Sequence, residues 1–372
     1  MTTDRSLRSE NQRDTERAEP EEVEPQAVSL VHAELPRWAP YGILVGSFVV
    51  VGALLAVWVG FSVGLFVFLS AVLFGLATYL ISRFVEGGRK ATDRLVTIVV
   101  TVAFLIALIP LVSVVITVVT NGVGRFDSAF FTQSMRGVGG ANDLVGGGYH
   151  AIIGTLIITA LAAIMSIPIG VLAAVYLVEY GKNRLARAVT FFVDVMTGIP
   201  SIVAGLFAFA LFALFFGPSI RLGFAGAVAL SVLMIPVVVR STEEMLKIVP
   251  NELREAAFAL GTPKWRTILK VVIPTSIAGI ASGITLAIAR VIGETAPLLI
   301  AVGVTTGVNF NPFANRMATL PVFAYYSYAA PGVPREPFLD RAWTSALVLI
   351  IIVLVLNLVA RLVARLFAPK TR

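Results

Sequence analysis

Cysteine is absent from this sequence of 372 residues, and histidine occurs only twice, at His32 and His150. Without cysteine, the chain has no disulfide framework, no cysteine-ligated zinc or iron–sulfur site and no thiol nucleophile. The two histidines lie far apart in the sequence, which argues against a histidine metal site. We therefore expect no metal or cofactor bound by this chain.

Charged residues are also scarce, at 14% of the chain, whereas an average soluble protein has about 25%. Hydrophobic residues make up 57%, and the mean hydropathy is +0.89. A water-soluble globule of this composition could not cover its surface with polar groups. The composition predicts an all-α polytopic membrane protein. In such a protein the net charge of +7 points to the topology bias of Lys and Arg rather than to nucleic acid.

A nucleotide-binding P-loop is missing as well. That motif needs Gly-x4-Gly-Lys-Ser/Thr, whose backbone amides surround the phosphates. The sequence has one Gly-Lys pair, at Gly181 and Lys182, but Asn183 follows it and Tyr176 stands where the first glycine would be. A chain of this kind must take any energy from ATP through a separate subunit.

Long apolar runs define the predicted spans. Residues 1–39 are polar, with charges of both signs, and predict a disordered cytoplasmic tail. No charged residue occurs from Trp38 to Ser82; as one helix this run would extend roughly 65 Å, against an apolar membrane core of about 30 Å. We therefore predict a hairpin over 40–83 and eight spans in all, at about 40–59, 63–82, 95–120, 150–178, 193–216, 222–239, 274–303 and 342–366.

The distribution of basic residues predicts the orientation of these spans. Of the 29 Lys and Arg residues, 22 fall in the two termini and in the loops 83–94, 180–187 and 240–270, while six fall in the loops of the other face. Arg290 remains, inside a predicted span. The positive-inside rule then places both termini in the cytoplasm.

The longest predicted cytoplasmic loop, 240–274, reads RSTEEMLKIVPNELREAAFALGTPKWRTILKVVIP. Its apolar spacing predicts two short amphipathic helices separated by Gly261. Thr262 and Pro263 suit the N-cap and first position of the second helix. The expected apolar stripes consist of Leu253, Ala256, Ala257 and Leu260, and of Trp265, Ile268, Leu269 and Val272. Such a unit fits either a helical hairpin on the membrane surface or a projection that meets a soluble partner.

The spacing within this loop strongly resembles the EAA loop of ABC importer permeases. The matching residues are Glu255, Ala256, Ala257, Gly261 and Pro274, with conservative replacements at Val271 and Ile273. In that family the loop is the coupling helix that docks into a groove of the ATPase subunit. The resemblance thus assigns ATPase coupling to Glu255, Ala256, Ala257 and Gly261. It implies a six-helix type I permease core within 94–367, to which the hairpin is an addition, and ATP and Mg²⁺ bound by the partner.

Further stretches narrow the resemblance to phosphate importer permeases of the PstA type, over about residues 95–367. They are MRGVGG (135–140), GTLIITALAAIMSIPIGVLAAVYLVEY (154–180), DVMTGIPSIVAGLF (194–207) and ARVIGETAPLL (289–299). The resemblance implies a prokaryotic plasma-membrane location and phosphate as substrate. It also implies three kinds of partner: a second similar permease, two copies of an ATPase and an extracytoplasmic phosphate-binding protein.

Arg290 and Glu294 put opposite charges inside the predicted span 274–303. Charges at membrane depth are costly and commonly functional. A guanidinium group offers a planar fork of donors that matches phosphate oxygens. A carboxylate one helical turn away could pair with it when substrate is absent. The resemblance places Arg290 and Glu294 in the substrate pathway, where Thr295 would be a further donor. The alternatives are an ion pair that packs helices, or an arginine that reaches to the interface.

Three other functions fit parts of the sequence. The coupling loop would serve an importer of sulfate, molybdate or phosphonate equally well, although ARVIGETAPLL favours phosphate. A secondary transporter could use Arg290 and Glu294 as an ion relay, but it would leave the EAA spacing unexplained. A membrane scaffold or sensor is suggested only by the extra hairpin and the polar tail.

Overall fold

A computed structural model describes residues 35–36, 38–58, 62–138, 145–181 and 183–367, with side chains described as far as 362. This part of the chain is helical and contains no strand. Its helices are α1 (Ala39–Trp58), α2 (Val63–Val85), α3 (Gly88–Gly122), α4 (Ser128–Thr132), α5 (Tyr149–Val175), α6 (Arg184–Thr197), α7 (Ser201–Phe216), α8 (Gly223–Ile248), α9 (Asn251–Ala259), α10 (Lys264–Thr267), α11 (Ile273–Ile292), α12 (Ala296–Ala301), α13 (Leu320–Ala329) and α14 (Glu336–Phe367).

Seven helical segments in the described part are long and apolar enough to cross a membrane. They are formed by α1, α2, α3, α5, α8, α14 and the run from α10 through α11. An eighth span results if α6 and α7 together count as one. The predicted all-α polytopic fold is therefore confirmed. The predicted tail 1–39 lies outside the described residues, except for four residues at its end.

The predicted span 193–216 is broken near Pro200 rather than continuous. α6 and α7 meet at a bend of 107°, because Pro200 follows a stop at Gly198 and itself takes an extended conformation before α7 begins. α6 is amphipathic: Arg184, Arg187 and Asp194 are exposed, whereas Ala186 and Val193 are buried. The predicted span 193–216 thus divides between the last turn of α6 and the sixteen residues of α7.

The chain divides into two compact units, Met1–Leu111 and Val112–Arg372. In the first unit, α1 and α2 form a hairpin in which the rings of Phe48 and Phe66 stack at 5.6 Å. Next to the end of α2, the buried carboxylate of Glu86 accepts two hydrogen bonds from Arg94, at 2.7 and 2.8 Å, and one from the hydroxyl of Ser82 at 2.7 Å. The backbone N–H of Leu35 also donates to Glu86.

The core of the second unit lies where α5, α8 and α11 pack together. Alanines at fully buried positions on these helices, including Ala162, Ala227 and Ala287, let the backbones approach closely. Larger side chains fill the remaining space, among them Ile158, Leu230, Met234, Val238 and Val291. This core fixes α8 and α11 as neighbours, and the segment that joins them on one side is the loop that resembles the EAA loop.

Candidate functional site

The segment between α8 and α11 folds into a short projecting helix, α9, followed by a sharp turn. Gly261 has φ +74°, a conformation that glycine adopts without steric cost. The N–H of Gly261 donates to the carbonyl of Phe258, and the N–H of Thr262 to the carbonyl of Ala257. These two bonds form a Schellman motif. The predicted stop of the first helix at Gly261 is confirmed.

Two other predictions for this segment are wrong. Pro263 occupies the N-cap position of α10, and the hydroxyl of Thr262 donates to the carbonyl of Ala257 at 2.6 Å instead of capping α10. The second helix is also not separate. It runs from Lys264 through a π-helical turn at Ile268–Val272 into α11. Ile268 and Val272 are buried, and buried backbone groups must be paired, as they are within a helix.

The predicted apolar stripe of α9 is largely exposed. Of its four residues only Ala257 is buried, while Leu260 is 84% exposed. Glu255 and Ala256, which belong to the EAA motif, are also exposed. In the following helix the second stripe divides, since Trp265 is exposed but Ile268 is buried. The segment therefore presents apolar side chains and a carboxylate outward, as a surface that meets a partner would.

Arg254 anchors α9 to the C-terminal end of α5. Its Nη2 and Nε atoms donate to Oε1 of Glu179 at 3.0 and 3.1 Å. It also donates to the carbonyls of Val249 and Leu246, the latter in the last turn of α8. Both side chains of the ion pair are largely buried, at 13% and 7% exposure. One guanidinium group thus joins α5, α8 and α9.

Lys264, the first residue of α10, contacts the same turn after α5 that contains Glu179. Its ammonium group donates to the backbone carbonyl of Glu179 and lies 4.6 Å from the ring centroid of Tyr180. The π-helical turn Tyr176–Tyr180, which follows α5, therefore contacts both α9 and α10. These helices belong to residues 249–272, which we call the coupling segment after the motif that it resembles. Glu179 and Arg254 could not be paired from the sequence, because they are 75 residues apart and no local spacing links them.

A second charged cluster ties α6 to α8. Arg240 makes ion pairs with Asp194 on α6 and with Glu243 one turn further along α8. Lys247 completes the cluster by donating to Glu243 at 2.7 Å. The chain order therefore places this cluster in the half of α8 that leads into the coupling segment.

The structure separates Arg290 from Glu294. α11 ends at Ile292, so Glu294 lies beyond the helix, and no ion pair joins the two side chains. The predicted arrangement on one helical face is wrong for a physical reason: a continuous helix would bring the ring of Pro297 against the carbonyl of residue 293 and remove one backbone hydrogen bond. Thr295 becomes the N-cap residue of α12, without a side-chain capping bond.

Arg290 instead belongs to an exposed stripe on α11. Thr275, Ser282, Leu286 and Arg290 follow one side of the helix and are all exposed, while Ala287 and Val291 on the other side are fully buried. The guanidinium of Arg290 makes no hydrogen bond or ion pair within the described residues. It lies in the last helical turn, about 26 Å along the axis from the start of α11.

The described residues contain no group of three or more His, Asp or Glu side chains that could hold a metal ion. The site offers a charged group and a helical connection to it. The exposed helix α9 leads, through the turn at Gly261, into the helical run that carries the unpaired guanidinium of Arg290. Glu294 and Thr295 are half-buried beside the break that follows.

Comparison with known proteins identifies the family. Residues 166–372 match the model for the binding-protein-dependent transport system inner membrane component. A phosphate transport system permease protein PstA from Mycobacterium leprae is 48% identical over 267 residues, covering 71% of this chain and 86% of that protein. PstA 1 from Mycobacterium tuberculosis strain H37Rv is 47% identical, with 71% of this chain and 84% of that protein covered.

More distant relatives include PstA from Yersinia pestis, which is 36% identical over 267 residues, covering 72% of this chain and 88% of that protein. Among solved structures, the inward-facing MetNI methionine ABC transporter aligns at 21% identity with 59% of this chain and 94% of its own, with a TM-score of 0.47. The family match and the PstA relatives confirm the family expected from the EAA spacing. The chain belongs to the family of binding-protein-dependent transport system inner membrane components and, within it, to the PstA permeases.

Proposed function

We propose that this chain forms part of the translocation pathway of an ATP-driven importer of inorganic phosphate. As a permease of its family it is a multi-pass membrane transport subunit rather than an enzyme, and the ATPase is a separate subunit. Phosphate as the substrate is supported by the PstA relatives and by the chemistry of a free guanidinium on the pathway helix.

One observation carries the proposed mechanism. Directly after the turn at Gly261, the chain runs as one unbroken helix from Lys264 to Ile292, and Arg290 lies in its last turn. A displacement of the segment by the ATPase would therefore be transmitted along a rigid rod. At the far end of the rod, α11 stops and the chain turns at Glu294 and Thr295. Movement there would change which side of the membrane Arg290 faces.

The proposed assembly has four kinds of subunit. The exposed stripe that contains Arg290 would face a second, similar permease, so that the pathway lies between the two chains. Two copies of an ATPase, which bind ATP and Mg²⁺, would dock on the coupling segments through Glu255, Ala256, Ala257 and Gly261. An extracytoplasmic phosphate-binding protein would deliver the ion. In a prokaryotic plasma membrane, the bias of Lys and Arg would place both termini in the cytoplasm.

Phosphate binding on the pathway must be weak enough for release. Arg290 supplies bidentate hydrogen bonds to two phosphate oxygens, and Thr295 a hydroxyl. Glu294 is close in sequence but unpaired with Arg290 in this conformation. We propose that the two side chains approach each other in another conformation, where the carboxylate would compete with phosphate for the guanidinium and promote release.

The test is uptake by the complete importer reconstituted in liposomes with its binding protein. We expect phosphate uptake that requires ATP inside and is insensitive to ionophores. Uptake that ionophores abolish would instead indicate ion-coupled transport. Sulfate, molybdate and phosphonate are the competitors in the same assay; inhibition by one of these at lower concentration than phosphate would contradict the substrate assignment.

A further inference from the structure

A second basic site lies at the opposite end of α8 from the coupling segment. A cavity of about 400 Å³ opens there, next to the N-terminus of α8. Its polar lining consists of Ser219, Arg221, Thr305, Asn315 and Arg316. Since α8 has 26 residues, its two ends are about 39 Å apart. The cavity therefore faces the side of the membrane away from the coupling segment.

Both arginines of the cavity lack a counter-charge. Arg221 is half-buried and Arg316 is exposed, and their guanidinium groups make no ion pair or hydrogen bond within the described residues. The residues that line the cavity include neither Asp nor Glu. Unpaired charges of one sign in a concave site concentrate the electrostatic field and attract ions of the opposite sign.

Gly303 brings the two arginine side chains together. It follows α12 with φ +76°. A Cβ atom at this position would lie 2.9 Å from Cδ of Arg221 and 3.3 Å from Cδ of Arg316. The aliphatic parts of both arginine side chains therefore pack against the backbone of Gly303, where a larger residue would leave no room for them. Arg136 extends the basic surface, because its Cδ would lie 4.0 Å from a Cβ at Gly307.

The neutral residues of the cavity add hydrogen-bond donors. The hydroxyl of Thr305 accepts from the N–H of Gly307 at 3.3 Å, which leaves its own hydrogen free to donate. Ser219 offers a second hydroxyl and Asn315 an amide. Two guanidinium forks, two hydroxyls and one amide form a donor set that suits a tetrahedral oxyanion.

We propose that this cavity binds a tetrahedral oxyanion before the ion reaches Arg290. The identity of that ion as inorganic phosphate rests on the proposed function. The cavity is joined to the pathway by α12, which begins directly after Thr295 and ends two residues before Gly303. A first site of this kind would hold the ion as it leaves the binding protein, so that it does not escape to the outside.

The test measures protection of the arginines in the complete wild-type complex. Phenylglyoxal modifies accessible guanidinium groups, and mass spectrometry gives the rate at each arginine. With inorganic phosphate at about ten times its dissociation constant, modification of Arg221 and Arg316 should slow by roughly tenfold, since only about a tenth of the sites stay free. Arg335, an exposed arginine outside the cavity, should react at the same rate with phosphate or with chloride at equal ionic strength. Equal rates at Arg221 and Arg316 in both salts would overturn the proposal.

A second measurement separates the oxyanion site from a protein contact. Under the proposal, the double variant Arg221→Gln and Arg316→Gln takes up less phosphate at limiting concentration, whereas Arg335→Gln behaves as the wild type. If the double variant instead loses affinity for the binding protein and phosphate gives no protection, the arginines contact acidic groups of that protein and the site is disproved. If phosphate protects the two arginines but the wild-type complex takes up no phosphate, the proposed function is refuted and the oxyanion site is supported. If the complex takes up phosphate but phosphate does not protect the arginines, the oxyanion site is refuted and the proposed function is supported.

Discussion

Arg254 and Glu179 form a largely buried ion pair, with Nη2 and Oε1 3.0 Å apart, between the coupling segment and the end of α5. The same glutamate accepts Lys264 through its backbone carbonyl. A force applied to the coupling segment therefore acts on α5 as well as on α11, although only α11 follows it in the chain. Under the proposed function, the pair links the ATPase-docking surface mechanically to α5 and α11.

We expect Glu179→Gln to lower the amount of phosphate transported per ATP hydrolysed. The substitution keeps the size of the side chain but removes the charge that holds Arg254, and breaking a buried pair costs about 3 kcal/mol or more. Rates of uptake and of ATP hydrolysis, measured on the same proteoliposomes, give the ratio. Glu244→Gln on exposed α8 surface is the control. An unchanged ratio in Glu179→Gln would show that the pair does not transmit force.

Glu255→Lys should weaken attachment of the ATPase without unfolding the permease. Glu255 is exposed and has no partner within the described residues, so reversing its charge affects only what docks there. Co-purification of the ATPase measures the attachment, and the melting temperature of the permease measures its stability. Glu244→Lys makes the same charge change away from α9. Normal co-purification of the Glu255→Lys variant would exclude this residue from the docking surface.

Arg290→Ala should abolish phosphate uptake while the complex still assembles, because the exposed guanidinium makes no contact that stabilises this chain. Arg290→Lys keeps the charge but loses the bidentate fork, so we expect partial uptake. Glu294→Gln should slow release and reduce the maximal rate more than the apparent affinity. Uptake at the wild-type rate in Arg290→Ala would remove this residue from the pathway.

Gly261→Ala should destabilise the turn after α9 by about 1–2 kcal/mol, since residues with a Cβ pay that cost in the left-handed region. Asn tolerates the conformation better, so Gly261→Asn should lie between Ala and the wild type. The surrounding space is empty, which leaves backbone strain as the sole cause. Limited proteolysis at 259–264 reports the opening of the turn. Gly46→Ala, a helical position in equally open space, should leave the cleavage rate unchanged. If Gly261→Ala is also cleaved at the wild-type rate, the turn does not need a glycine at this position.

The cluster around Glu86 should make stability depend on pH under acidic conditions. Burial by itself raises the pKa of this carboxyl group, but hydrogen bonds from Arg94, the Leu35 N–H and Ser82 outweigh it and lower the pKa to about 2 from 4.5. Because the folded pKa is the lower one, the stabilisation is complete above about pH 4.5 and is lost as the pH falls towards 2. Melting temperatures from pH 7 to pH 3 should decline less in Glu86→Gln than in the wild type. Parallel declines would refute this.

The sequence by itself determined the membrane class, the positions of most spans, the EAA segment and its stop at Gly261. Each of these depends on composition or on spacing within a few turns. Hydrophobic length sets a span, and one glycine can end a helix. Even the family could be identified from such local patterns.

Tertiary structure alone decided how the parts of the site relate. The helix end between Arg290 and Glu294, by contrast, is a local effect, because Pro297 opposes a helix at the carbonyl of residue 293. Tertiary structure joined Arg254 to Glu179 and brought Arg221 and Arg316 together across Gly303. These contacts form between segments far apart in the sequence, and packing of α5, α8 and α11 brings those segments together, so no short-range pattern encodes them.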